Sequence, residues 1–101
     1  MLIHIVCWKY RDDVEKTSRE HHRERLASLE GLVPGMRRLD VGEDVLHLDR
    51  SFDTALVAEF DDMRSLDDYT VHPGHQVVVA IGREIADKVM SVDFYHGPQD
   101  T

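Results

Sequence analysis

The first stretch of the chain alternates. Leu2, His4, Val6, Trp8 and Tyr10 fall on one side and Ile3, Ile5, Cys7 and Lys9 on the other, and the run stops at Arg11-Asp12-Asp13, so it reads as a β-strand with two largely apolar faces. Asp12 and Asp13 suit a helix start, and Thr17-Ser18-Arg19-Glu20 has the spacing of a capping box, in which hydroxyl and carboxylate satisfy each other's free amides. The helix that follows carries a sparse stripe of His22, Leu26, Leu29 and then Leu32 or Val33. Gly31 is placed for a left-handed cap before Val33-Pro34-Gly35 turns the chain. Its outer face of Arg, Glu and Lys is a solvated surface.

Met36 to Val41 alternates weakly and carries enough charge for an edge strand. Gly42 and Glu43-Asp44 bend it, Val45 to Leu48 extends it or pairs locally, and Asp49-Arg50-Ser51 makes a turn. Phe52 to Phe60 is the clearest strand, with Phe52, Thr54, Leu56, Ala58 and Phe60 on one face and Ala55 and Val57 on the other. Asp61-Asp62 offers an N-cap for a short helix through Leu66 and Tyr69, which cannot run smoothly past Pro73 because proline pushes the preceding residue out of the α region. A second helix starts at Pro73, where the missing amide costs nothing. Val77, Val78, Ile81, Ile85 and Val89 then recur at three and four, so this helix is expected to carry most of the helical core. Val89 to Tyr95 reads as the last strand, closing a domain of residues 1–96 before a polar tail, 97–101.

The order βαββαβ predicts an α+β, ferredoxin-like protomer: a four-stranded antiparallel sheet with its helices on one face. The other face then exposes Ile3, Ile5, Cys7, Ala55 and Val57, so a homodimer through the sheet faces is expected. Burying roughly three or four aliphatic side chains at about 1.5–3 kcal/mol each yields several kcal/mol, comparable to the whole stability of such a domain.

Composition narrows the partners. Against 12 Lys+Arg stand 20 Asp+Glu, a net charge of −8, which opposes binding to nucleic acid or an anionic membrane. Cys7 is the single cysteine, so no intrachain disulfide forms. With no secretory pattern at the amino terminus and no apolar run near the roughly 20 residues that cross a bilayer, a cytoplasmic setting is expected.

Candidate chemistry concentrates in Tyr69-Thr70-Val71-His72-Pro73-Gly74-His75, a phenol and two imidazoles around the proline. Proton abstraction beside a carbonyl needs a base with a pKa near working pH and a donor to hold the developing enolate, which His75 and Tyr69 supply by type. In the first turn of its helix, His75 is favoured in the neutral form by the positive end of the helix dipole. Both residues are equally of a type to serve only as packing. His72, its backbone held by Pro73, is better suited to ordering the turn. A metal at His72 and His75 would need a third ligand from His4, His22, Glu59 or Asp93, so no metal site is assigned. With no Gly-rich phosphate loop or nucleophile elbow, no cofactor is expected.

The opening strand with His4, Leu32-Val33-Pro34-Gly35-Met36, Val41-Gly42, Leu56-Val57-Ala58-Glu59-Phe60, the Tyr69-to-His75 element and Val92-Asp93-Phe94 together resemble the stress-responsive dimeric α/β-barrel family. That resemblance implies a ferredoxin-like protomer pairing through its sheets into a dimeric α/β barrel, often of unknown function, with some members acting as polyketide cyclases or assembling into stable rings. In the cyclase-like members the tyrosine and second histidine do acid/base work, roles that would fall on Tyr69 and His75 with His4 nearby. The chain departs from them at Thr54, where a further pocket histidine occurs, and at His22 and Leu26, where large aromatics occur.

Three functions remain. A cavity between sheet and helices, lined by His4, Trp8, His22, Leu26, Leu56, Tyr69 and His75 with His72 beside it, would accept a small, mostly apolar molecule. The same cavity could run cofactor-free proton transfer on a polyketide-like carbonyl compound, as a cyclase or isomerase-type lyase. A filled interior would instead leave a structural stress protein acting through assembly.

Overall fold

The computed structural model describes residues 1–97, so the expected tail, apart from Gly97, lies outside the described residues. The elements are β1 (Leu2–Tyr10), α1 (Lys16–Ala27), β2 (Met36–Glu43), β3 (Thr54–Phe60), α2 (Met63–Val71), α3 (Pro73–Ile85) and β4 (Ala86–Tyr95). All strand pairs are antiparallel in the order β2-β3-β1-β4, the ferredoxin-like arrangement expected from the pattern.

Register sorts the side chains. His4 stands opposite Ala58 on β3 and Asp93 on β4, and Val6 opposite Leu56 and Ser91, so even positions of β1 share the helix-covered face with Leu56, Ala58 and Phe60. The core sits there: Leu2, Leu56, Ala58 and Phe60 from the sheet meet Leu26 and Leu29, Leu66 and Tyr69, and Val78. On the far face Phe94, Val92 and Met90 of β4 stand opposite Ile3, Ile5 and Cys7 of β1. Met90, Val92 and Phe94 are each 44–52% exposed, so the uncovered apolar face is wider than β1 and β3 alone suggested.

Several boundaries differ from the pattern, each for a local reason. The capping box does not form, because α1 starts two residues early: Ser18 and Arg19 amides already bond the Glu15 carbonyl, placing Thr17 and Glu20 inside the helix. Arg19 ties the approach down instead, donating to the carbonyls of Val14 at 3.0 Å and Arg11 at 3.1 Å. Gly31 is left-handed (φ 77°), but it lies beyond Ser28, which already caps α1, and serves the following turn. Residues 45–48 form no strand: Asp44 Oδ2 accepts from the His47 amide at 2.7 Å, and His47 itself has φ 53°, a turn rather than extended backbone. β3 begins at Thr54, leaving Phe52 outside it.

The stripe on α3 is also displaced. Val77 is 53% exposed, and the buried positions are Val78 and Gly82. Ala86 is extended and already in β4, so α3 runs into the strand with no loop, and Val89, expected both to end the helical spacing and to open the last strand, lies in the sheet opposite Trp8. Helix-side burial is therefore shared, with two buried residues on each of α1, α2 and α3, rather than carried mostly by α3.

Candidate functional site

The junction of α2 and α3 builds the site. Pro73 has no amide to continue the helix, and His72 becomes extended (φ −63°, ψ 132°) as the N-cap of α3. The next amide, Gly74, turns away and donates to His72 Nδ1 at 2.9 Å. The Thr70 carbonyl thereby loses the partner it would have in an unbroken helix. It accepts instead from Gln76 Nε2 at 2.6 Å and pairs with His75 Nδ1 at 3.0 Å.

That pairing fixes the His75 tautomer. A carbonyl only accepts, so Nδ1 carries the proton and, in the neutral ring, Nε2 holds the free lone pair. Burial pushes the His75 pKa below its ordinary value, with the Thr70 hydrogen bond opposing and the nearby His4 and His72 assisting. The ring is therefore neutral near pH 7, with Nε2 as a proton acceptor.

Tyr69 is 1% exposed, and its ring lies 4.3 Å from that of His75 at 39° and 5.2 Å from that of Phe60. Burial pushes its phenol up to about 12, so it stays protonated and able to donate. Its hydroxyl makes no hydrogen bond to another described side chain. His4 stands 6.2 Å from the Tyr69 ring, and across the β1–β4 ladder its Nδ1 donates to Asp93 Oδ1 at 2.5 Å.

These groups border one cavity of about 420 Å³. Of the residues expected to line it, His4, Trp8, Leu26, Leu56, Tyr69 and His75 do. Val78, Val79 and Arg83 of α3, with Val89 and Ser91 of β4, complete the wall. Their signal was present: 75, 78, 79 and 83 follow one helical face, and Val89 opens the strand expected over Val89 to Tyr95.

His22 and His72 do not border the cavity, contrary to expectation. His72 is committed to the Gly74 amide, and so to the turn. His22 is wholly buried beneath Trp8, ring centroids 5.1 Å apart, with Nδ1 bonded to the Tyr10 hydroxyl at 2.8 Å. The Tyr10 hydroxyl also reaches Thr54 Oγ1 at 2.9 Å, where Arg23 donates at 3.2 Å. Burial foremost, then the positive Arg23 and the neighbouring His21, lowers the His22 pKa to about 4, while its Nε2 has no partner. Among the described residues no group of three or more His, Cys, Asp or Glu is arranged to hold a metal ion.

Residues 2–96 match the family described as Stress responsive A/B Barrel Domain. Olivetolic acid cyclase from Cannabis sativa is 22% identical over 93 residues, covering 90% of this chain and 92% of that protein. A dimeric ferredoxin-like protein of unknown function from Thermobifida fusca YX superimposes with a TM-score of 0.85 at 25% identity, over 92% of this chain and 88% of that one. The hydroxynitrile lyase of Passiflora edulis shares the fold, with a TM-score of 0.83 at 15% identity over 99% and 96% of the two chains.

Proposed function

The chain belongs to the stress responsive A/B barrel domain family, and on that footing we propose that it binds a small, mostly apolar molecule in the cavity between sheet and helices. The carrying observation is the cavity of about 420 Å³ walled by Leu26, Leu56, Val78 and Val79, with Tyr69 and His75 as its polar corner. A pocket of this size and lining suits a small organic ligand held by a few polar groups. It also counts against a protein that acts through assembly alone, whose interior would have been filled.

A second reading builds on the first: the bound molecule has a carbonyl, and His75 and Tyr69 move a proton on it without a cofactor. The Thr70–His75 hydrogen bond favours it, since it orients the ring with Nε2 as the basic atom, while the un-ionised phenol of Tyr69 stands ready to hold an enolate oxygen. The likeness to a protein named as a cyclase is in keeping with an enzymatic role without choosing the reaction.

The protomer pairs with a second copy through the sheet face that carries Ile5, Val57, Val92 and Phe94, as the dimeric Thermobifida fusca relative suggests. The setting is cytoplasmic, in keeping with the single, unpaired Cys7. Among the described residues no helix is long and apolar enough to cross a membrane.

The test is a thermal-shift screen of small carbonyl compounds on wild type and His75→Ala. A ligand of the native state raises the melting temperature by mass action, and the proposal expects hits whose shift shrinks in His75→Ala. Hits that stabilise both proteins equally would separate His75 from binding.

A further inference from the structure

The cavity has a second polar end. Along α3 the residues facing it are His75, Val78, Val79 and Arg83. At a rise of about 1.5 Å per residue, the backbone positions of the imidazole and the guanidinium lie about 12 Å apart along the helix. The sheet opposite runs in the same sense, with His4 paired to Asp93, Val6 to Ser91 and Trp8 to Val89. His4 packs beside Tyr69, whereas Trp8 lies under Gly82, where an added Cβ would come within 3.2 Å of Trp8 Nε1. The His4 end therefore holds the acid/base pair and the Trp8 end holds Arg83, with aliphatic walls between.

Arg83 is the one permanently charged residue in the cavity wall. Arg11, Arg19, Arg23, Arg37 and Arg38 each have a carboxylate within ion-pair distance, whereas Arg25, Arg50, Arg64 and Arg83 have none among the described residues, and of these four Arg83 alone borders the cavity. In a chain with a net charge of −8, a cation without a partner beside an apolar cavity is complementary to an anion that the protein itself does not provide.

We propose that the ligand is an amphipathic carboxylic acid: its carboxylate pairs with Arg83 at the Trp8 end, and its carbonyl lies against Tyr69 and His75 about 12 Å away along α3. The inference rests on the binding role given above and names the chemical class. A planar guanidinium holds a carboxylate through two parallel hydrogen bonds, and Arg83, an exposed residue, offers them from the solvent-reached part of the cavity wall. The aliphatic stretch matches a hydrocarbon chain, and the spacing sets its length.

The probes are methyl-ketone fatty acids of graded chain length, each with its methyl ester, titrated into wild type, Arg83→Gln and Arg83→Lys. Wild type is expected to bind the best acid at least about tenfold tighter than its ester, the effect of one charge-assisted hydrogen-bonded pair. Arg83→Gln should remove that preference by weakening the acids and leaving the esters unchanged, and Arg83→Lys should keep part of it. Unchanged melting temperatures without ligand report an intact fold. Acids and esters binding wild type equally, or a preference that survives Arg83→Gln, would overturn the assignment to Arg83 while leaving the cavity's binding role standing. Failure of every acid and every ester to bind would overturn both.

Discussion

The Thr70 carbonyl and the His75 ring are joined across a helix break, 3.0 Å from oxygen to Nδ1, and this one contact decides which nitrogen of the imidazole is basic. It exists because Pro73 cannot donate and Gly74 donates elsewhere. Replacing Pro73 by Ala gives Tyr69 and Thr70 back an ordinary helical continuation and frees the His75 ring to turn. The change should shift stability by less than about 1 kcal/mol, the scale of a backbone-entropy effect, yet strip a cavity ligand of most of its thermal shift. Ligand-induced melting shifts of Pro73→Ala against wild type measure both.

The direction of the His75 shift sets a pH dependence. Proton acceptance needs the neutral ring, so any turnover should rise through a pKa below the ordinary 6.5 of histidine and then stay level through neutrality. No falling limb should come from Tyr69, whose phenol titrates at about 12. A pH–rate profile with its rising limb above 6.5 would mean that His75 is not the base.

His22 contributes to stability in a defined window. Its folded pKa of about 4 lies below its ordinary 6.5, so below 6.5 the unfolded chain holds a proton that the folded chain lacks. Stability from this residue is complete above 6.5 and is lost as pH falls toward 4, by up to about 3 kcal/mol. Urea midpoints across that range should fall more steeply for wild type than for His22→Leu, whose difference from wild type should narrow toward pH 4.

Gly82 is the close neighbour that lets His22 and Trp8 pack. A Cβ there would lie 2.9 Å from His22 Nε2, so Gly82→Ala forces the buried ring to move and should lower stability by roughly 1–3 kcal/mol despite alanine's better helix propensity. Thermal unfolding of the variant checks it.

Much of this was written locally in the chain. The alternation of Leu2 to Tyr10 sets the strand and its two greasy sides, and Pro73 announces the helix break and its N-cap, because both depend on neighbours a few residues away. The rest depended on long-range placement. Val89 and Ser91 reach the cavity only because α3 passes into β4 without a loop and the strand then pairs in a particular register with Trp8 and Val6. His22 had the spacing of a lining residue, but Trp8 packs against it edge to face, and no pattern along α1 reveals what β1 places there. The wide apolar far face emerged for the same reason, when Phe94, Val92 and Met90 came opposite Ile3, Ile5 and Cys7.

That face makes a prediction of its own. Val92→Asp puts a charge opposite Ile5 in its middle and should convert a dimer to monomers, since an unpaired charge is not buried without large cost. Sedimentation of both proteins over a range of concentrations reads the result, and a wild type that sediments as a monomer throughout would remove the pairing proposal.

The most direct measurement is ¹⁵N NMR of the imidazoles at neutral pH during titration with whichever carbonyl compound raises the melting temperature most. His75 is expected to be neutral and protonated at Nδ1, with an Nε2 resonance that moves in step with binding. A charged His75, or a ligand that stabilises the protein while the His75 resonances stay still, would contradict this.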